Sequence, residues 1–190
     1  MDLSVVVPVY NEEKNVQNLI KEIQDIIKNL TLKSEIIFVD DGSSDNTASL
    51  LEHSIKQTPQ LKVIQLRKNF GQTSALVAGF DHADGQIIIS MDGDGQNNPA
   101  DIPRLIEKIQ EGYDIVSGWR KIRKDPFWSR RLPSQVANKI ISWSTRVKLH
   151  DYGCSLKAFR REVIENINLY GEMHRFIPAV ASWMGIRLAE

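Results

Sequence analysis

The sequence predicts an α/β domain with a mostly parallel central sheet flanked by helices, and three observations carry that expectation. Short apolar runs alternate with helical patterns through the first 118 residues. Two of the runs, Ile36-Ile37-Phe38-Val39 and Ile87-Ile88-Ile89, are unbroken in apolar character, which suits strands buried on both faces; a half-exposed antiparallel sheet would alternate. The residues just after each run are polar and often acidic, where an open parallel sheet gathers its ligands.

Residues 3–9 form the first apolar, β-branched run, which closes on Pro8 and Tyr10-Asn11. A helical pattern follows in Val16, Leu19, Ile20, Ile23, Ile26 and Ile27, spaced to share one face. The second unit is a strand over 35–39 and a helix opening near Thr47, the third a strand over 62–66 and a helix over 73–83. A strand over 86–91, a helix over 100–111 and a fifth strand over 114–117 complete the alternation. Beyond Gly118 the pattern changes. Residues 119–131 are basic and aromatic, 133–147 read as helical, and a short strand over 156–159 precedes helices over 161–166 and 173–184.

No Gly/Ser/Pro-rich linker, repeat or low-complexity tract divides the chain, so residues 1–190 read as one domain with halves 1–118 and 119–190. The closing residues, Gly185 to Glu190, read as the start of a strand, and the natural protein is expected to continue past them. The chain carries 24 basic and 24 acidic side chains, so bulk charge names no partner and argues against a nucleic-acid binder. The single Cys154 forms no internal disulfide, and the opening residues resemble no cleavable signal, which fits a cytosolic setting. No run approaches the roughly 20 apolar residues of a bilayer span.

The chemistry concentrates at the strand ends. Asp92 and Asp94 stand two apart after the fourth run, so an extended backbone points their side chains the same way, and Gly93 between them admits a close neighbour. Two convergent carboxylates suit Mg²⁺ or Mn²⁺, whose remaining positions are filled by water and phosphate oxygens of a nucleotide diphosphate. A solvated Asp-Gly turn has the same local sequence. An EF-hand loop is a poor fit, because residues 92–103 lack the closing Glu and contain Pro99 and Pro103. After the second run, Asp40 and Asp41 are placed to accept hydrogen bonds from a ribose hydroxyl or a base N–H, while Ser43, Ser44, Asp45 or Asn46 caps the next helix. Asn11, Glu12 and Glu13 read equally as capping of the first helix. His53, His82 and His150 show no metal-ligand spacing with Cys154, which argues against zinc.

Three ordered segments, Val5-Val6-Val7-Pro8-Val9-Tyr10-Asn11-Glu12, Val39-Asp40-Asp41-Gly42-Ser43-Ser44-Asp45 and Asp92-Gly93-Asp94, resemble the family 2 glycosyltransferases. Asn69-Phe70-Gly71-Gln72, Asp94 to Pro99, Gly118-Trp119-Arg120, Gly153 to Arg160 and His174-Arg175-Phe176 resemble more particularly the polyprenyl-phosphate glycosyltransferases, the group that includes dolichol-phosphate mannosyltransferase. The resemblance implies a GT-A (nucleotide-diphospho-sugar transferase) fold, a UDP- or GDP-sugar donor, a divalent cation and inversion at the anomeric carbon. It implies that Pro8, Tyr10, Glu12, Asp40, Asp41, Gly71, Asp92, Gly93, Asp94 and Gln96 bind the donor, and that Asp92 and Asp94 hold the metal. It further implies that Arg120, Arg123, Arg131, His174 and Arg175 face the acceptor phosphate. Where several relatives carry an acidic residue near the position of Cys154, this sequence has Gly153-Cys154-Ser155, and Asp151 is the nearest substitute for a catalytic carboxylate.

Residues 119–131 supply six cations against one acid, interleaved with three aromatics, a mixture that suits both phosphate and an anionic membrane surface. A polyprenyl phosphate is already anionic, so it needs positioning more than a general base. The sequence expectation is therefore a transferase at the cytoplasmic face of a membrane, with a glycan or protein hydroxyl as the alternative acceptor and a metal- or nucleotide-binding regulatory module as the alternative class. A homo-oligomer stays open.

Overall fold

The computed structural model describes residues 1–119 and 149–190. β1 (Leu3–Val9), α1 (Val16–Ile27), β2 (Ser34–Asp40), α2 (Thr47–Ile55), β3 (Leu61–Gln65), α3 (Gln72–Asp81) and β4 (Ile87–Ser90) alternate as the sequence predicts. A 3-10 turn (Pro99–Asp101), α4 (Ile102–Gln110) and β5 (Ile115–Ser117) follow. Past residue 149 come β6 (Lys157–Arg160), α5 (Arg161–Glu165), α6 (Ile177–Ala181) and β7 (Leu188–Ala189). The stretch expected as one helix over 173–184 is broken into 3-10, α and 3-10 turns, with α6 as its middle segment. Pro178 lies in its first turn, where the missing N–H costs no helical bond, and Gly185 at φ 73° closes the run. The helical reading of 133–147 lies outside the described residues.

The strands form one seven-stranded sheet in the order β3-β2-β1-β4-β6-β5-β7. β1 pairs in parallel with both β2 and β4, and β6 enters antiparallel between β4 and β5. β7 pairs in parallel with β5 through Ile115–Leu188 and Val116–Ala189, so the strand-like reading of the closing residues corresponds to a short edge strand. Strand period two splits the apolar side chains between two layers. Leu3, Val5, Val7, Val9, Ile36 and Phe38 pack with α1, α2 and α4. Val6, Ile37, Val39 and Ile88 pack with α3, α5 and α6 on the other face. This two-sided cover explains the unbroken apolar runs.

α1 illustrates the energetics. Its buried Val16, Leu19, Ile20, Ile23 and Ile27 recur at helical spacing, and each stabilises by roughly 1.5–3 kcal/mol relative to exposure. Truncation of the fully buried Ile23 to Ala costs about 2–5 kcal/mol through lost burial and the cavity left behind.

Because β2 and β4 flank β1 on opposite sides, the chain changes direction across the sheet at β1. The loops leaving β1 and β4 diverge there and open a crevice beyond their carboxyl ends.

Candidate active site

A cleft of about 330 Å³ occupies that crevice, lined by Pro8, Val9 and Tyr10 from the end of β1, Glu12, Asp41, Asn69, Gly71 and Gln72, and Asp92, Gly93 and Asp94 beyond β4. Four carboxylates (Glu12, Asp41, Asp92 and Asp94) and no cationic side chain line it among the described residues.

The loops after β1 and β2 are laced together. Asn11 N–H donates to Ser43 Oγ at 2.9 Å, Glu12 N–H to Thr47 Oγ1 at 2.9 Å and Glu13 N–H to Asp45 Oδ2 at 3.2 Å. In return Ser44 N–H donates to Asn11 Oδ1 at 2.8 Å and Asn46 N–H to Glu13 Oε2 at 3.1 Å. Several motif residues thus fix the cleft wall instead of facing the cleft. Asn46 occupies the N-cap of α2 without a side-chain capping bond to the helix; its Nδ2 donates instead to Glu13 Oε2 at 3.0 Å. The capping carboxylate is Asp45, whose Oδ1 accepts both Thr47 N–H at 3.0 Å and Thr47 Oγ–H at 2.6 Å. Burial pushes the Asp45 carboxyl up, but the hydrogen bonds from Thr47 and from the backbone outweigh it and hold the carboxyl below its ordinary value.

Asp40 and Asp41 diverge. Asp41 is buried, and its two oxygens accept Phe70 N–H at 2.7 Å and Gly71 N–H at 2.9 Å, which fixes the loop entering α3. Gly71 adopts φ 94° at the N-terminus of α3, a conformation open to glycine. Asp40 is fully buried outside the cleft lining; Oδ1 accepts Ser43 N–H at 3.0 Å, and Oδ2 has no hydrogen-bond partner among the described residues.

Asp92 and Asp94 do not stand on an extended strand as the sequence predicts: β4 ends at Ser90 and residues 93–94 form a turn. The turn nevertheless places both carboxylates on the cleft. It forms because Asp94 Oδ1 accepts Gln96 N–H at 3.0 Å, a local side-chain bond that competes with strand extension. A Cβ on Gly93 would collide with Val9 Cγ1 and lie 3.1 Å from the Pro8 carbonyl oxygen, so glycine lets this turn rest on the end of β1. Gln72 Nε2 donates to Asp92 Oδ1. Gln96 is exposed and outside the cleft lining.

The cleft lining offers carboxylate oxygen and neither thiolate nor imidazole, the donor set of a hard divalent cation. No three or more His, Cys, Asp or Glu side chains among the described residues converge closely enough to hold a metal ion by themselves. Asp92 and Asp94 fit an ion that completes its shell with water and substrate phosphate.

Asp151 is fully buried and does not line the cleft; its Oδ1 accepts Gly153 N–H at 3.1 Å, and its N–H donates to Glu190 Oε1 at 2.9 Å. Cys154 is buried, and Asn97 Nδ2 donates to Ser155 Oγ at 2.8 Å, joining the loop after β4 to this turn. His174 is buried against the first turn of α3, its Nδ1 2.6 Å from Thr73 Oγ1. Arg120, Arg123 and Arg131 lie outside the described residues, as does the side chain of Arg175. The sequence reading did not single out Asn69 and Gln72 as site residues, although both line the cleft. Their signal was a pair of amides flanking a glycine where strand passes into helix.

An open α/β sheet with an acidic cleft at its switch point is the arrangement expected of a GT-A scaffold. The chain belongs to glycosyl transferase family 2, whose model matches residues 4–167. It is 45% identical over 181 residues to the dodecaprenyl-phosphate galacturonate synthase of Rhizobium johnstonii, with 94% of this chain and 54% of the relative covered. It is 41% identical over 189 residues to the undecaprenyl-phosphate 4-deoxy-4-formamido-L-arabinose transferase of Proteus mirabilis, with 99% and 58% covered. The chain thus spans a little over half the length of these relatives. Among solved structures, a mannosyltransferase from Pyrobaculum calidifontis in complex with GDP-Man and Mn²⁺ superimposes with a TM-score of 0.72 at 20% identity, covering 98% of this chain and 53% of that one. Glucosyl-3-phosphoglycerate synthase from Mycobacterium tuberculosis, in complex with Mn²⁺, UDP-glucose and phosphoglyceric acid, gives 0.76 at 19% identity, covering 99% and 68%. Both share the fold.

Proposed function

We propose that this chain is the catalytic domain of a transferase that moves a sugar from a UDP- or GDP-linked donor to a polyprenyl phosphate, with inversion, at the cytoplasmic face of a membrane. The observation that carries the reading is the convergence of Asp92 and Asp94 with Tyr10, Glu12 and Asp41 on one cleft. Such a lining repels a diphosphate unless a cation intervenes. A Mg²⁺ or Mn²⁺ ion held by Asp92 and Asp94 supplies neutralisation of the charge that builds on the departing diphosphate.

The chain's own groups do the rest. Tyr10, which is 46% exposed, presents a ring against which a nucleobase stacks. The Asp40 carboxylate, fully buried outside the cleft lining, supports the donor site through the turn it holds, its Oδ1 accepting Ser43 N–H at 3.0 Å. Asp41 holds the 70–71 loop, so that Gly71 keeps its place on the cleft.

The acceptor class rests on the relatives, two of which are named for dodecaprenyl- and undecaprenyl-phosphate chemistry. A phosphate acceptor brings its own nucleophilic anion, so the reading needs no base from Asp151, whose carboxylate orders the 151–153 turn. Arg120, Arg123, Arg131 and Arg175 are proposed for the acceptor side, where guanidinium groups match phosphate oxygens, while His174, buried on Thr73, is proposed to join that side to α3. No helix among the described residues is long and apolar enough to cross a membrane, so this domain meets the lipid carrier from the surface in this proposal.

Calorimetric titration with UDP and with GDP, each with and without Mn²⁺, tests the donor site. Metal-dependent binding of one nucleotide, lost in an Asp92→Ala, Asp94→Ala double variant, is expected; absence of binding by the folded chain overturns the assignment. Sugar label from the bound donor type should enter an organic-soluble, mild-acid-labile product, and label in a glycan or protein instead would replace the acceptor.

A further inference from the structure

Ser155, two residues before β6, touches the chain on both sides of the turn that carries Asp92 and Asp94. Its carbonyl oxygen accepts Ser90 Oγ–H at 2.8 Å, and its Oγ accepts an Asn97 Nδ2 proton, also at 2.8 Å. Ser90 is the last residue of β4, Asn97 follows the turn, and both are buried. The chain from 91 to 96 therefore leaves Ser155 and returns to it, a loop with both feet on one residue of the second half of the chain.

The feet matter because the backbone between them is permissive. β4 pairs with β6 as far as Ser90 and Lys157, where the ladder ends. Beyond it come Gly93 and Gly95, the latter at φ 74°, and glycine adopts conformations closed to other residues. Fixing both ends of such a loop narrows what its middle can adopt, so less order has to be gained when a ligand settles on it. Loss of the Ser155 hydroxyl leaves the buried Asn97 amide without that partner. Ser155 also closes the turn in which Gly153 N–H donates to Asp151 Oδ1 at 3.1 Å and Cys154 N–H to the Asp151 carbonyl at 3.3 Å. One residue thus ties the cleft loop to the 151–155 turn.

We propose that Ser155 is a positioning residue: through Ser90 and Asn97 it holds the Asp92–Asp94 turn in its donor-binding arrangement, and by the same contacts donor binding orders the 151–155 turn. Such coupling is reciprocal, because contacts that favour one site's ordered form favour the other's. The inference rests on the reading of the cleft as the donor site and adds to it a route from that site into the second half of the chain.

Calorimetric titration of the whole chain with UDP and with GDP, Mn²⁺ present, compares wild type with Ser155→Ala, Ser155→Thr, Asn97→Leu, the Asn97→Leu, Ser155→Ala double variant and Asn98→Ala. Circular dichroism and urea midpoints identify the variants that fold. Ser155→Ala and Asn97→Leu should each lower nucleotide affinity about three- to tenfold, the scale of one hydrogen bond's worth of loop order. The double variant should lose no more than either alone, because both changes remove the same bond. Ser155→Thr keeps the hydroxyl and should restore binding. Asn98→Ala removes the neighbouring bond from Ala100 N–H without touching Ser155, and its affinity should match wild type. Hydrogen exchange gives a readout in the unaltered chain: nucleotide with Mn²⁺ should slow the amides of Gly153 to Ser155 as well as those of 92–97, and in Ser155→Ala or Asn97→Leu only the latter. Wild-type affinity in either folded single variant, an equal loss in Asn98→Ala, or exchange at 153–155 that ignores the nucleotide overturns the proposal. A wild-type chain that binds neither nucleotide overturns the donor-site reading itself, and the inference falls with it.

Discussion

Thr73 and His174, 101 residues apart, meet at 2.6 Å between Oγ1 and Nδ1, both buried. The contact joins the first turn of α3, which also holds Asp41 and Asp92, to the 3-10 turn Met173–Phe176. It is thus a direct link between the cleft wall and the second half of the chain. Thr73→Val and His174→Ala should each destabilise folding, and a double-mutant cycle by urea denaturation should give a coupling energy of about 0.5–3 kcal/mol. Strict additivity would mean that the pair contributes nothing as a pair.

Asp41 serves the cleft through the backbone it holds. Asp41→Asn keeps the shape but replaces one accepting oxygen with a donor that faces an N–H group. The expected cost is about 1.5–3 kcal/mol for a lost charge-assisted bond, with faster amide exchange at Phe70 and Gly71. Exchange rates that match wild type would show that the loop is held by other contacts.

The turn carrying Asp92 and Asp94 depends on the missing side chain at 93. In Gly93→Ala the new methyl meets Val9 Cγ1 and the Pro8 carbonyl, and overpacking of this kind costs about 1–3 kcal/mol. Both thermal stability and Mn²⁺-dependent nucleotide affinity should fall. A stable variant with wild-type affinity would indicate that the end of β1 yields without moving the carboxylates.

A pH dependence follows from Asp45. Its carboxyl is held below the ordinary value in the folded state, so its contribution is fully present above the unfolded carboxyl pKa and disappears as pH falls through the lower folded value. The stability difference between wild type and Asp45→Asn, followed by urea midpoints from pH 7 downward, should be constant to about pH 5 and then shrink. A difference independent of pH would assign the effect to shape alone.

The alternation of strand and helix was legible because each buried strand leaves an unbroken apolar run and each surface helix an apolar stripe. Ile36 to Val39 and the α1 residues Val16 to Ile27 are cases in point. The β6 insertion between β4 and β5 was not legible, since strand order depends on contacts between residues far apart in the chain. The acidic motifs likewise named the cleft without dividing the work within it. Asp40 and Asp41 are neighbours in sequence, yet Asp41 lines the cleft while Asp40 lies fully buried outside its lining.

By itself the sequence determined the α/β class, the alternation of its strands with helices, and the acidic strand ends, because these follow from periodicity and local side-chain chemistry. Tertiary structure alone decided that Gly93 rests on the end of β1, that Gln72 reaches Asp92, and that Thr73 meets His174. Those relationships join segments brought together by packing across the sheet, and no local pattern of residues encodes a contact whose two halves fold from different parts of the chain.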